Sequence, residues 1–109
     1  MMNKMLKIAL NSMVIMSLGA VYVHADDANK GKMLYMKKLK DVCGFNGAVM
    51  ATKHTMSEWE KIQKKDKLAD ELRKFCPKVQ DKSLKERFMP FYYDFFHKYA
   101  SDSGNIPSC

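Results

Sequence analysis

The sequence lacks the short motifs that mark the common enzyme sites. It has no glycine-rich phosphate loop, no Cys-x-x-Cys pair, and no specific combination of serine, histidine and aspartate that predicts a catalytic triad. Internal repeats and low-complexity tracts are absent too. We therefore do not expect an enzyme, and the missing cysteine pair makes a thiol–disulfide protein the weakest of the functions considered.

A long apolar run is also missing. The apolar residues from Ile8 to Val23 are interrupted by polar ones and fall short of the roughly 20 that a membrane span needs. Lys4 and Lys7 precede this run, and Val23-His24-Ala25 follows it with small residues at the signal-peptidase positions. This layout predicts a cleaved signal peptide over residues 1–25, a domain over residues 26–109, and a periplasmic or secreted protein without a membrane span. No cysteine follows Ala25, so no lipid anchor is expected there.

The charge of the exported part is basic. Of the 19 lysines and arginines only Lys4 and Lys7 precede residue 26, whereas all 12 acidic residues lie at or after it, which leaves a formal charge of +5 for residues 26–109. Because an exported protein meets little nucleic acid, an acidic protein or an anionic lipid surface is the expected partner. The alternative is a solvated basic face with no dedicated partner.

Three cysteines, Cys43, Cys76 and Cys109, follow the signal peptide. Export permits disulfides, and a domain of this size benefits from them. The odd number allows one intramolecular pair and one leftover thiol, and the three pairings stay open.

Apolar residues recur at helical spacing, and no long stretch alternates with period two, so the sequence predicts an all-α bundle of about four helices. The first is expected over residues 28–42, up to Gly44. Thr55–Glu58 and Ser83–Glu86 have capping-box spacing and predict the starts of the second and fourth helices. The third is expected to end at Cys76, before Pro77. Pro90 either kinks the fourth helix or begins it.

The aromatic residues of this fourth helix are expected to form the main core: Phe88, Phe91, Tyr92, Phe95, Phe96 and Tyr99.

Residues 31–47 carry the most informative pattern. This segment resembles, without a gap, the N-terminal helix and haem-attachment loop of small class I c-type cytochromes. The aromatic C-terminal helix resembles the one that packs against the N-terminal helix in that family, whereas residues 48–88 match only in helix number and size. The matching positions are Gly31, Leu34, Tyr35, Gly44, Asn46 and Gly47.

The segment departs from the family at the positions that hold haem. Leu39 and Val42 stand where the two thioether cysteines belong, and Cys43 stands where the axial histidine belongs. The resemblance therefore implies a cytochrome-c-like domain with a degenerate haem motif and no covalent haem.

Haem held in another way would need Cys43 as a thiolate ligand, with His54 or Met89 as a second ligand. Each of these residues has a structural alternative: half of a disulfide for Cys43, a helix-entry position for His54, and core packing for Met89. We expect His97 to contact Asp94, one helical turn away, and we expect no metal site.

The expected function is that of an exported cytochrome-c-like accessory module without a cofactor, near respiratory electron transfer. Its expected partner is an acidic periplasmic or membrane-bound redox protein. The alternative is a periplasmic electron carrier with atypically attached haem.

Overall fold

The computed structural model describes residues 25–108, and this part of the chain is all-α, as predicted. Two 3-10 turns, Asp81–Ser83 and Glu86–Phe88, connect the last two helices. The α-helices are α1 (Ala25–Lys38), α2 (Lys40–Cys43), α3 (Gly47–Ala51), α4 (Met56–Lys64), α5 (Leu68–Phe75) and α6 (Met89–Lys98). Residues 1–24 of the predicted signal peptide lie outside the described residues, as does Cys109.

The first predicted helix is divided in two. Leu39, whose φ of −117° departs from that of a regular helix, separates α1 from the single turn of α2, although its N–H still donates to the Tyr35 carbonyl at 2.8 Å. Gly44 then ends α2 in the left-handed conformation, with φ +83°, which glycine adopts without steric cost. The predicted stop was right, whereas the single continuous helix was wrong.

Side-chain caps begin the next two helices. The Asn46 side chain accepts a hydrogen bond from the Val49 N–H at 3.1 Å and begins α3, a helix that the sequence analysis missed. Thr55 begins α4, and both hydrogen bonds of the predicted capping box with Glu58 are present.

The second predicted capping box is wrong. Ser83 ends a 3-10 turn, and its carbonyl accepts a hydrogen bond from the Tyr92 hydroxyl at 2.9 Å. Helix α6 begins only at Met89, with Pro90 in its first turn, where the missing N–H costs nothing. The predicted end of the third helix was right, since α5 stops at Phe75.

Helices α1 and α6 cross in close contact at Gly31. A Cβ atom at this position would collide with the backbone carbonyl of Phe91 and would lie 2.9 Å from the Cβ of Phe95. Only glycine therefore permits this approach.

The core lies between α6 and the other helices and is rich in aromatic rings. Phe96 is fully buried, stacks on Trp59 at a centroid distance of 4.9 Å, and meets Tyr35 edge-on at 6.1 Å. Tyr92 stacks on Phe96 from the other direction, at 6.3 Å. Burial raises the pKa of Tyr92 to about 12. The aromatic residues of α6 thus supply much of the core, as predicted, although Phe88, Phe91 and Tyr99 stay half-buried.

Candidate functional site

Cys43 is bonded to Cys76 in a disulfide that joins the end of α2 to the residue after α5. The expectation of one intramolecular pair is confirmed, and the structure selects one of its three pairings. Because the Cys43 sulfur is covalently bonded to another sulfur, it has no thiolate to offer an iron ion. In this structure the proposal of Cys43 as a haem ligand is therefore wrong.

The loop between α2 and α3 is fixed against α1 and α6. The Tyr35 hydroxyl donates a hydrogen bond to the Phe45 carbonyl at 2.9 Å. Gly47 lies so close to α6 that a Cβ atom there would lie 2.5 Å from the Phe95 ring. The two residues that match the cytochrome pattern here, Tyr35 and Gly47, thus have structural roles in holding this loop.

His54 lies between two carboxylates from different helices. Its Nδ1 atom is 3.2 Å from the Glu58 Oε1 atom in α4, and its Nε2 atom is 2.6 Å from the Glu71 Oε2 atom in α5. The ring also meets Trp59 edge-on at 4.7 Å. The His54 carbonyl accepts a hydrogen bond from the Ser101 N–H at 3.1 Å, which attaches the C-terminal segment. His54 therefore joins α4, α5 and this segment at a helix entry, as its structural alternative predicted.

These contacts stabilise the ionised form of both carboxylates. The Thr55 backbone N–H, and then the hydrogen bond with His54, hold the pKa of Glu58 below its ordinary value. Burial alone would raise the pKa of Glu71, but hydrogen bonds with His54 and Lys74 outweigh burial and lower it. Ionised carboxylates are thus part of the folded structure at neutral pH.

The proposed haem ligands are not arranged as a haem site. Met89 is only 8 % exposed and packs in the core, and both His54 ring nitrogens face carboxylates. Leu39, at a thioether position of the resemblance, is fully buried in the same core. These residues do not fit a haem that is ligated or attached at those positions.

His97 has a partner on another helix. Its Nε2 atom lies 2.7 Å from the Glu60 Oε2 atom, so the contact joins α6 to α4. Glu60 lies 37 residues away in sequence, and no local spacing indicates such a pair. Burial raises the pKa of the neighbouring Tyr93, and the negative charges of Glu60 and Asp94 raise it further.

Ion pairs and unpaired cations occupy different parts of the surface. Ion pairs join side chains that lie between His54 and His97. The lysines of α1 and α2 take part in none of them. At the start of α6, Arg87 is likewise without a carboxylate within 4.0 Å among residues 27–108.

A groove lies at this unpaired surface, between α1 and the start of α6. We call it the cation–aromatic groove; its volume is about 320 Å³, and Lys30, Leu34, Arg87, Phe88 and Phe91 line it. Lys30 lies over the Phe91 ring, whereas Arg87 lies over the Phe88 ring. The sequence shows the individual basic residues, but their positions around one groove depend on the crossing of α1 and α6.

No family model, curated protein or solved structure matches this chain. Within residues 25–108, no helix is long and apolar enough to cross a membrane. The same part of the chain contains no group of three or more His, Cys, Asp or Glu side chains that could hold a metal ion.

Proposed function

We propose that this protein is an exported, cytochrome-c-like accessory module without haem, which docks on an acidic redox protein near respiratory electron transfer. In this proposal the signal peptide directs it to the periplasm or the medium, and the domain has no catalytic site of its own. The surface that carries the unpaired lysines of α1 and α2 provides the docking face.

The Cys43–Cys76 disulfide is the observation that carries this proposal. In the cytochrome resemblance the position of Cys43 belongs to the axial histidine, which binds iron through a ring nitrogen. Here that position forms a covalent link between α2 and α5. A structural crosslink thus takes the place of a ligand, which supports a domain stabilised by a disulfide in place of a cofactor.

The aromatic core supports the same proposal. Trp59 and Phe96 are fully buried and stack on each other, and the Trp59 Nε1–H donates to the Ala51 carbonyl at 2.9 Å. Large aromatic side chains bury roughly 150–250 Å² each, so they supply apolar area that a small domain would otherwise need from a cofactor.

Absorption spectroscopy tests whether the protein lacks haem. We expect no Soret band and no haem stain when the full-length gene is expressed together with a c-type haem-maturation system. A c-type cytochrome expressed in parallel shows that maturation works. A stoichiometric Soret band that acid acetone removes would instead establish the alternative, an electron carrier with non-covalent haem.

Docking is tested separately, by crosslinking in intact cells followed by mass spectrometry. We expect crosslinks to a redox protein with an acidic surface, and we expect them to weaken as the salt concentration rises during crosslinking. Crosslinks confined to proteins unconnected with electron transfer would contradict this part of the proposal and leave the result on haem unchanged.

A further inference from the structure

We propose that the cation–aromatic groove binds an acidic segment of a partner protein. One apolar side chain of that segment would enter the groove, and neighbouring carboxylates would pair with Lys30, Lys38 and Arg87. This inference rests on the proposed docking function and adds the surface and the chemistry of the partner.

The cations around the groove are held in place before any partner arrives. The Lys30 Nζ atom is 4.8 Å from the Phe91 ring centroid. Over the Phe88 ring, the Lys38 Nζ atom lies at 5.2 Å and the Arg87 Cζ atom at 5.0 Å. A cation that rests on a ring has less side-chain freedom left to lose on binding, so its pairing with a carboxylate is less costly.

These cations are also available. No carboxylate of residues 27–108 lies within 4.0 Å of them, in contrast to Lys74 and Arg73, which pair with acidic side chains on α5 and beyond. A carboxylate that arrives at the groove therefore breaks no internal ion pair. Charge complementarity indicates an acidic partner.

The shape of the groove favours a protein segment. A volume of about 320 Å³ is at the low end for small-molecule sites, which suits one inserted side chain better than a large cofactor. Half-buried Leu34 and Phe91 form an apolar wall, and Met33, next to them, is 55 % exposed. A flat lipid surface would meet the rim but would leave this concave wall unfilled.

A peptide titration followed by NMR tests the inference. The isotope-labelled protein is expressed from the full-length gene and is purified in the form that the host exports. Two synthetic acidic peptides of equal length and charge serve as probes, one with leucine and phenylalanine between its carboxylates and the other with serine in their place. We expect the apolar peptide to shift amides at residues 30–38 and 87–91, and to bind at least about tenfold more tightly than the serine peptide.

Two variants with equal loss of charge locate the site. Lys30→Gln/Arg87→Gln should weaken binding of the apolar peptide about fivefold or more, because both rim cations are lost. Lys53→Gln/Lys98→Gln is the matched control: these lysines also lie over aromatic rings, but neither lines the groove. The control should bind within about twofold of the unchanged protein.

Several results would overturn the inference. Equal weakening by both variants would mean diffuse attraction, and shifts confined to other residues would mean a different site. Absence of binding up to about 1 mM would exclude a specific segment of this kind. Binding of anionic vesicles without binding of the apolar peptide would identify a membrane surface.

Two further occupants give their own signatures. Concentration-dependent shifts of the groove amides in the protein alone would indicate a second copy. If mass spectrometry shows that residues 1–25 are retained and their removal shifts these amides, the chain's own apolar segment occupies the groove. A crosslinked redox partner that Lys30→Gln/Arg87→Gln still captures would leave the proposed function standing and reject this groove.

Discussion

Helices α1 and α6 meet through a glycine and aromatic rings, whereas α4 and α5 are joined by a histidine between two carboxylates. We call these regions the crossing half (α1 and α6) and the ion-paired half (α4 and α5). In the crossing half, stability depends on how closely the two helices pack, and the lysines of α1 form none of the ion pairs described above. In the ion-paired half, most charged side chains form internal ion pairs, whose strength depends on pH and salt.

Removing the disulfide between α2 and the end of α5 should have the largest effect. The disulfide spans 33 residues of sequence, and loop-closure entropy for such a span is worth about 4 kcal/mol. Cys43→Ala/Cys76→Ala should therefore lower the free energy of unfolding in urea by about that amount. As a control, reductant should lower the stability of the unchanged protein and leave the variant unaffected. A variant as stable as the unchanged protein would show that the disulfide adds nothing to the other contacts that hold α2 and α5 in place.

A methyl group at the helix crossing tests the crossing half. Gly31→Ala should cost about 3 kcal/mol, because the new Cβ atom collides with the Phe91 backbone and neither helix can yield without moving the core. Gly104→Ala is the matched control, since its Cβ atom would meet no atom within 4 Å and only its φ of +78° is unfavourable. The control should cost about 1 kcal/mol. Equal losses in urea unfolding would mean that α1 and α6 are not in close contact.

Acid titration tests the ion-paired half. The pKa of Glu71 is lowered in the folded state, so its stabilising contribution is present above the unfolded value, about 4.3, and is lost as the pH falls through the lower folded value. Glu71→Gln should lower stability by about 1 to 2 kcal/mol at pH 6 and make the acid limb of the stability curve shallower.

Asp70→Asn, on the exposed face of α5, provides the comparison for Glu71. Asp70 pairs with Lys67 and Arg73, but its side chain is 64 % exposed. We expect a change within about 0.5 kcal/mol in the free energy of unfolding at pH 6. A loss as large as that of Glu71→Gln would mean that position in the fold does not distinguish the two carboxylates.

The smallest effect is expected at the surface pair of Arg73 and Asp81. The Nη2 atom of Arg73 lies 2.9 Å from the Asp81 Oδ1 atom, and both side chains are largely in solvent. Arg73→Gln should cost about 0.5 kcal/mol or less at low salt and nothing measurable in 1 M salt, where the Debye length is about 3 Å. A loss above about 1 kcal/mol that persists in salt would show that the Arg73 stem contributes through packing.

The sequence predicted features that depend on neighbouring residues. The Thr55–Glu58 capping box and the helix end before Pro77 involve hydrogen bonds or steric contacts within a few residues. Ser83–Glu86 has the same spacing, yet it does not cap a helix, because the Ser83 carbonyl pairs with Tyr92 and the chain turns twice before α6. A local pattern thus fails where a side chain from another element competes for the same segment.

The candidate site depended on contacts that the sequence does not record. The prediction for His54 used only its position before a helix, whereas its contact partner Glu71 lies 17 residues further along the sequence. The disulfide pairing, the His97–Glu60 contact and the cation–aromatic groove depend equally on which helices are neighbours. The short α3 was the exception, because Asn46 before a small-residue run was a local signal for it.

The protein carries a single tryptophan, and it lies where the two halves meet. Trp59 stacks on Phe96 of the crossing half and meets His54 of the ion-paired half. Its fluorescence therefore reports two separate events without any label: water reaching the indole when the crossing half opens, and loss of the imidazole contact when the ion-paired half comes apart. One emission spectrum can follow both, with the wavelength recording solvent entry and the intensity recording whether the imidazole still lies against the indole.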